Sequence, residues 1–232
     1  MMRNPEEVRC AIADQVDDVQ DLRSLRLVSS LLLPAATRAM FSSVRLYQTR
    51  KSMARFNNTL NDPVLKTLVK HLEINTVDNF EEDDYLVDSI ILDDELCDLL
   101  GPGFTALRRL SSVSLRFSPC TIDRHSRHYP ENWEVYYLTR YPIIKALFDA
   151  LERPEAARIK DVRLEHLKNK NHPFFLTNAT FPNVLSRLES LRLYIAARDI
   201  PREGDLALQR LYDEEYVFFL VFFIYSAFPL PP

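Results

Sequence analysis

The chain has 232 residues, of which 47% are hydrophobic and 27% charged, and a formal net charge of −4. That is enough length and apolar content for one large domain or two small ones, and the slight acidity gives no general nucleic-acid footprint. Only three glycines (Gly101, Gly103, Gly204) and three widely spaced cysteines (Cys10, Cys97, Cys120) are present, which excludes phosphate-cradling glycine loops, dinucleotide fingerprints and CxxC metal or redox motifs.

No charged-then-apolar leader stands at the N-terminus, so an intracellular chain with reduced thiols is expected, cytoplasmic or nuclear. The glycosylation sequons Asn57-Asn-Thr59 and Asn178-Ala-Thr180 are then chance matches. There is no GxSxG, HExxH or EF-hand loop, and nothing pairs a nucleophile or acid with a base at recognisable spacing. Neither an enzyme nor a cofactor is expected.

Residues 6–32 read as helices. Val8, Ile12 and Val16 recur at i, i+4 and i+8; Asp17-Asp18 breaks that pattern. Asp21 can cap a second helix through Leu22, Leu25, Leu27 and Val28. Pro34 suits the first turn of a third segment, Ala35 to Met40. Residues 50–70 look helical with Met53, Phe56 and Leu60 inward, interrupted at Asn61-Asp62-Pro63. Residues 78–98 hold ten acidic residues and no Lys or Arg. They read as a solvated loop and then a helix with a charged outer face, and Leu86, Ile90, Ile91, Leu96 and Leu99 supply its inner face.

Residues 118–133 hold Arg124, His125, Arg127, His128 and the sole tryptophan, Trp133. His125 and His128 lack the further ligands that zinc requires, so a basic loop is expected and no metal. Residues 141–151 keep helical spacing through Ile144, Leu147, Phe148 and Leu151, and Pro154 ends that helix. The run Tyr216–Phe228 is almost wholly apolar. It is shorter than the ~20 residues a bilayer requires, and residues 211–232 carry no basic flank, so no membrane partner is expected. It also lacks the polar outer face of a terminal cap. A tail anchor and a buried segment are the alternatives; the segment 214–232 is expected to lie outside the fold, as a truncated or non-native end.

Between these segments one pattern occurs five times: Phe41-Ser-Ser-Val44-Arg-Leu46, Val69-Lys-His-Leu72-Glu-Ile74, Leu110-Ser-Ser-Val113-Ser-Leu115, Ile159-Lys-Asp-Val162-Arg-Leu164 and Leu188-Glu-Ser-Leu191-Arg-Leu193. The spacing is that of LxxLxL, the core of a leucine-rich repeat. Its last two apolar residues alternate along a short strand, and its first closes the preceding turn. Such a unit buries its apolar face only by stacking on neighbours. The intervals between Val44, Leu72, Val113, Val162 and Leu191 are 28, 41, 49 and 29 residues, so the middle two need an insertion or a weak repeat. Five amphipathic strands in some other α/β fold are the alternative.

Residues 5–46 resemble an F-box, and the repeats extend the resemblance to a fungal-type F-box and leucine-rich-repeat protein as far as about residue 195. The stretch Asp21-Leu22-Arg-Ser-Leu25-Arg-Leu27-Val28-Ser29 matches the family's second helix, Asp-Leu-x-x-Leu-Arg-Leu-Val-Ser. Pro5-Glu-Glu-Val8 resembles its Leu-Pro-x-Glu-Ile/Val start, although Asn4 replaces the leucine and Ser30-Leu31 the usual basic–aromatic pair. The resemblance implies an α/β chain: a helical F-box (1–42), then a short irregular leucine-rich-repeat-like solenoid with a parallel sheet (43–213). It implies that Pro5, Val8, Ile12, Leu22, Leu25 and Val28 dock on Skp1 in a Skp1–cullin ubiquitin ligase complex, while the repeats hold an unknown protein substrate. The same six residues would also serve an intramolecular core, most readily Leu25 and Val28. A stand-alone repeat scaffold, with the helical start only capping the array, is the second expectation.

Overall fold

The computed structural model describes residues 5–16, 18–76, 85–117, 133–168 and 180–196. Three short helices open the chain: α1 (Pro5–Ala13), α2 (Val19–Val28) and α3 (Leu33–Ser42). Helix α1 ends at Ala13, before Val16, so the expected i, i+4, i+8 stripe is cut to Val8 and Ile12. Helix α2 is capped one turn earlier than expected: the Asp18 carboxylate accepts from the Gln20 N–H, and Asp21 lies inside the first turn. Pro34 sits in the first turn of α3 as expected, where its missing N–H costs nothing.

Five strands follow: β1 (Ser43–Tyr47), β2 (His71–Asn75), β3 (Ser112–Arg116), β4 (Asp161–Lys168) and β5 (Ser190–Ala196). They form one sheet in the order β1-β2-β3-β4-β5, and every neighbouring pair is parallel. The register aligns the repeated pattern across the sheet. Val44, Leu72, Val113, Val162 and Leu191 stand side by side, and so do Leu46, Ile74, Leu115, Leu164 and Leu193. These rows point inward: buried in the three central strands and at Leu46, partly buried at Val44, Leu191 and Leu193. One residue before each strand the backbone continues the ladder: Lys70 N–H donates to Ser42 O, Ser111 to Lys70 O, Lys160 to Ser111 O and Glu189 to Lys160 O, at 2.8–3.0 Å.

A parallel pair needs a crossover, and each crossover carries a helix: α4 (Arg50–Asn61), α5 (Tyr85–Ala106), α6 (Trp133–Glu152) and α7 (Thr180–Leu185). The long middle intervals hold the two longest helices, α5 and α6, and no further strand among the described residues. Helix α4 starts at Thr49, whose hydroxyl accepts from the Ser52 N–H, and buries Met53, Phe56 and Leu60, as expected. It stops where Asp62 Oδ1 accepts from the N–H groups of Val64 and Leu65 instead. Helix α5 buries Leu96, Leu100 and Phe104 at helical spacing and runs through Gly101-Pro102-Gly103. A Cβ at Gly103 would lie 3.2 Å from Phe56 Cε1, so glycine lets α5 pack closely on α4. Helix α6 buries Ile144, Leu147, Phe148 and Leu151, and Phe148 meets Phe181 of α7 with ring centroids 4.6 Å apart.

The half-buried guanidinium of Arg158 donates to the carbonyls of Phe104 and Leu107 at the C-terminus of α5, where helix carbonyls lack partners. Burial lowers its pKa from the ordinary arginine value. Residues 77–84, the expected basic loop with His125 and His128, and the segment 214–232 lie outside the described residues.

Candidate functional site

The alternation that buries one row of each strand turns the other row outward. The outward residues are Ser43, Arg45 and Tyr47; His71, Glu73 and Asn75; Ser112, Ser114 and Arg116; Asp161, Arg163 and Glu165; Ser190, Arg192 and Tyr194. They form a polar plane framed by exposed Tyr47 and Tyr194 on the two edge strands. Its charges are paired, across strands and, for Arg163 with Glu165, along β4. Arg45 Nε donates to Glu73 Oε2 at 3.0 Å, Arg116 and Arg163 reach Glu165 at 3.7 and 3.4 Å, and Arg192 reaches Asp161 at 4.0 Å. The Arg163 guanidinium lies 5.8 Å from the Tyr194 ring centre, within cation–π range. Asn75 donates to Glu73 at 3.1 Å. At the end of this face β4 bulges between Glu165 and Leu167. There His166 takes a left-handed φ of 58° and its Nδ1 lies 2.8 Å from Phe117 O.

One row brings Ser112, His71 and Asp161 onto neighbouring strands. Ser112 Oγ donates directly to Asp161 Oδ2 at 3.3 Å, so the imidazole does not stand between hydroxyl and carboxylate as a nucleophile–base relay needs. Among the described residues no cluster of three His, Cys, Asp or Glu could hold a metal, and no helix is long and apolar enough to cross a membrane. The arrangement is suited to contact: rigid, charged positions on a hydrogen-bonded plane.

The second surface is on the helical start. Its interior is small: Ala13, Leu22, Ala35 and Ala36 are its buried apolar residues. Of the six expected docking residues Leu22 is the buried one: at 4% exposure it is the one large side chain closing the bundle. Leu25 is half-buried, while Pro5, Val8, Ile12 and Val28 are exposed. Leu27 and Val28 are 88% and 77% exposed, and Val19, Leu31 and Leu33 join them. Val19, Leu27, Leu31 and Leu33 were not among the expected docking residues; for Val19 and Leu27 the clue was a second helix with more apolar residues than one inward stripe can hold. Arg9 ties this end together by donating to Leu31 O at 3.2 Å, and Arg38 pairs with Glu6 at 3.5 Å. Comparisons with protein-family models, with curated proteins and with solved structures find no match to this chain.

Proposed function

We propose that this chain is the substrate-recognition adaptor of an SCF-type E3 ubiquitin ligase, non-catalytic itself, which docks on Skp1 through α1–α3 and holds a protein substrate on the outward face of its sheet. The observation that carries the reading is the apolar surface of the helical start: Val8, Ile12, Val19, Leu27, Val28, Leu31 and Leu33 are all exposed around a core of one leucine and three alanines. So many exposed apolar side chains on so small a bundle call for a partner, and short amphipathic helices meet partners through such residues. The sequence from Asp21 to Ser29 supplies the family resemblance.

Helix α3 ends at Ser42 and β1 begins at Ser43, with no linker between. A target held on the sheet would thus keep a fixed position relative to whatever the helices grip. That is how an adaptor works: it raises the effective concentration of target beside a charged conjugating enzyme without doing chemistry. The repeated, in-register strand pattern fits the leucine-rich-repeat-like solenoid of such proteins.

The same direct join favours one other reading, a stand-alone repeat scaffold whose helices only cap the first strand. Co-purification separates the two. An adaptor retains Skp1, and Val8→Asp or Val28→Asp abolishes that retention. A folded chain that retains no Skp1 is a scaffold.

A further inference from the structure

Between β1 and α4 lies a cleft of about 340 Å³, floored by Val44 and Phe56 and rimmed by Arg45, Lys51, Ser52 and Arg55. Among the described residues no carboxylate lines it. Arg45 is engaged by Glu73 on its sheet side. The side chains of Lys51 and Arg55 are exposed and have no hydrogen bond or ion pair among the described residues. They stand one turn apart on α4, whose first turn carries no acid. Like charges at i and i+4, close to the positive end of a helix, repel each other and the helix dipole. A negative partner would relieve both.

The strand beside them is the edge of the sheet, with no further strand paired to it among the described residues. Gln48 N–H donates to Asn75 O at 3.0 Å, so the even-numbered backbone groups of β1 face β2 and those of Arg45 face away from the sheet. Along that edge Tyr47 N–H is taken by Ser52 Oγ at 2.9 Å, which leaves Arg45 as the position where a visiting chain can pair. An extended segment there places alternate side chains about 6.6 Å apart on one side. Residues one turn apart on a helix, as Lys51 and Arg55 are, hold their Cβ atoms about 6 Å apart. The two spacings match.

We propose that the β1–α4 cleft binds an extended protein segment carrying Asp or Glu at alternate positions, laid along the open edge of β1 with its carboxylates on Lys51 and Arg55. That this segment belongs to a ubiquitination substrate rests on the adaptor reading; the binding itself involves no Skp1 contact. Separated cations on an open wall suit separate carboxylates better than one phosphoryl group, which needs donors converging on a single point.

The test uses the full chain and a short fluorescent peptide in which Glu alternates with Thr. Two further peptides carry Lys, or phosphoserine, in place of Glu. The Glu peptide should bind, more weakly as salt is raised, and the Lys peptide should not. The double variant Lys51→Glu/Arg55→Glu should weaken binding by about tenfold or more. It places acids where the helix terminus favours them, and an unchanged circular dichroism melt checks that it folds. Equal binding of the Lys peptide, undiminished binding in the folded double variant, no binding at all, or capture of the phosphoserine peptide alone would each overturn the proposal. Skp1 retention measured on the same samples keeps the two readings apart: peptide binding without Skp1 retention leaves this site standing and removes the adaptor.

Discussion

Val28→Asp and Leu22→Ala perturb the same short helix in opposite senses, and the contrast tests the docking face. Val28 is 77% exposed, so a carboxylate there stays in water in the free chain and changes stability by no more than about 0.5 kcal/mol. In a complex the position becomes buried. The variant then loses about 1.5 kcal/mol or more of apolar burial and leaves a charge without a partner. A total of about 2–4 kcal/mol weakens binding roughly 30- to 1,000-fold. Leu22 is 4% exposed and closes the bundle with three alanines. Its truncation leaves a cavity costing about 2–5 kcal/mol, which a bundle this small cannot absorb. Calorimetric titration with Skp1, paired with circular dichroism melts, reads both. Val28→Asp should lose Skp1 and keep its helical signal; Leu22→Ala should lose helical signal and, with it, Skp1. If Val28→Asp binds Skp1 like the native chain, the exposed face of α2 is not the docking face.

The sheet core should respond separately from the bundle. Phe148→Ala empties a fully buried site against Phe181 and should cost about 3–5 kcal/mol by urea denaturation; a cost under about 1 kcal/mol would mean that α6 is not packed as described. Gly103→Ala should destabilise, because the new Cβ meets Phe56 Cε1 at 3.2 Å. In a Phe56→Leu background the same change should stabilise by up to about 1 kcal/mol through helix propensity, so a double-mutant cycle should show coupling. Truncation after Asp213 should leave the melting temperature nearly unchanged and raise solubility, since it removes an uncharged aromatic run; unfolding would show that the run is core.

The strands were legible because their signal is local. An apolar pair two residues apart, preceded by a third apolar residue, states both the period of the strand and the turn before it. All five such runs became strands of one sheet, with their apolar rows aligned. The strand ends were less legible. β4 continues from Leu164 to Lys168 through a bulge at His166, and no residue type announces a non-glycine at positive φ. Helix α5 passes through Gly101-Pro102-Gly103 against local propensity, because a glycine there admits Phe56 and the turn after it carries Phe104 and Leu107 into the core. Which apolar residues of α2 face outward was only half legible. Leu22 and Val28 have the same chemistry and lie six positions apart in one helix; which of them faces inward is decided by how α2 crosses its neighbours, and a single sequence does not contain that.

The two surfaces differ in how freely they can change. On the sheet, stacking is carried by the even rows of β1 and β2 and their partners in β3–β5, together with the backbone ladder from Ser42 to Glu189. The outward row contributes ion pairs, three of them across strands, that are at least partly solvated, each worth at most about 1 kcal/mol. Arg45, Arg116, Arg163 and Arg192 can therefore be exchanged at small structural cost, which suits a face that must match one particular target. The helical start has no such freedom. Its interior is one leucine and three alanines, so larger residues would not fit and smaller ones would leave nothing to bury. Its exposed apolar residues, by contrast, cost solubility in the free chain and return stability only when covered. On the adaptor reading proposed above, the surface kept under that penalty would meet the constant partner, and the polar sheet free of it the variable one.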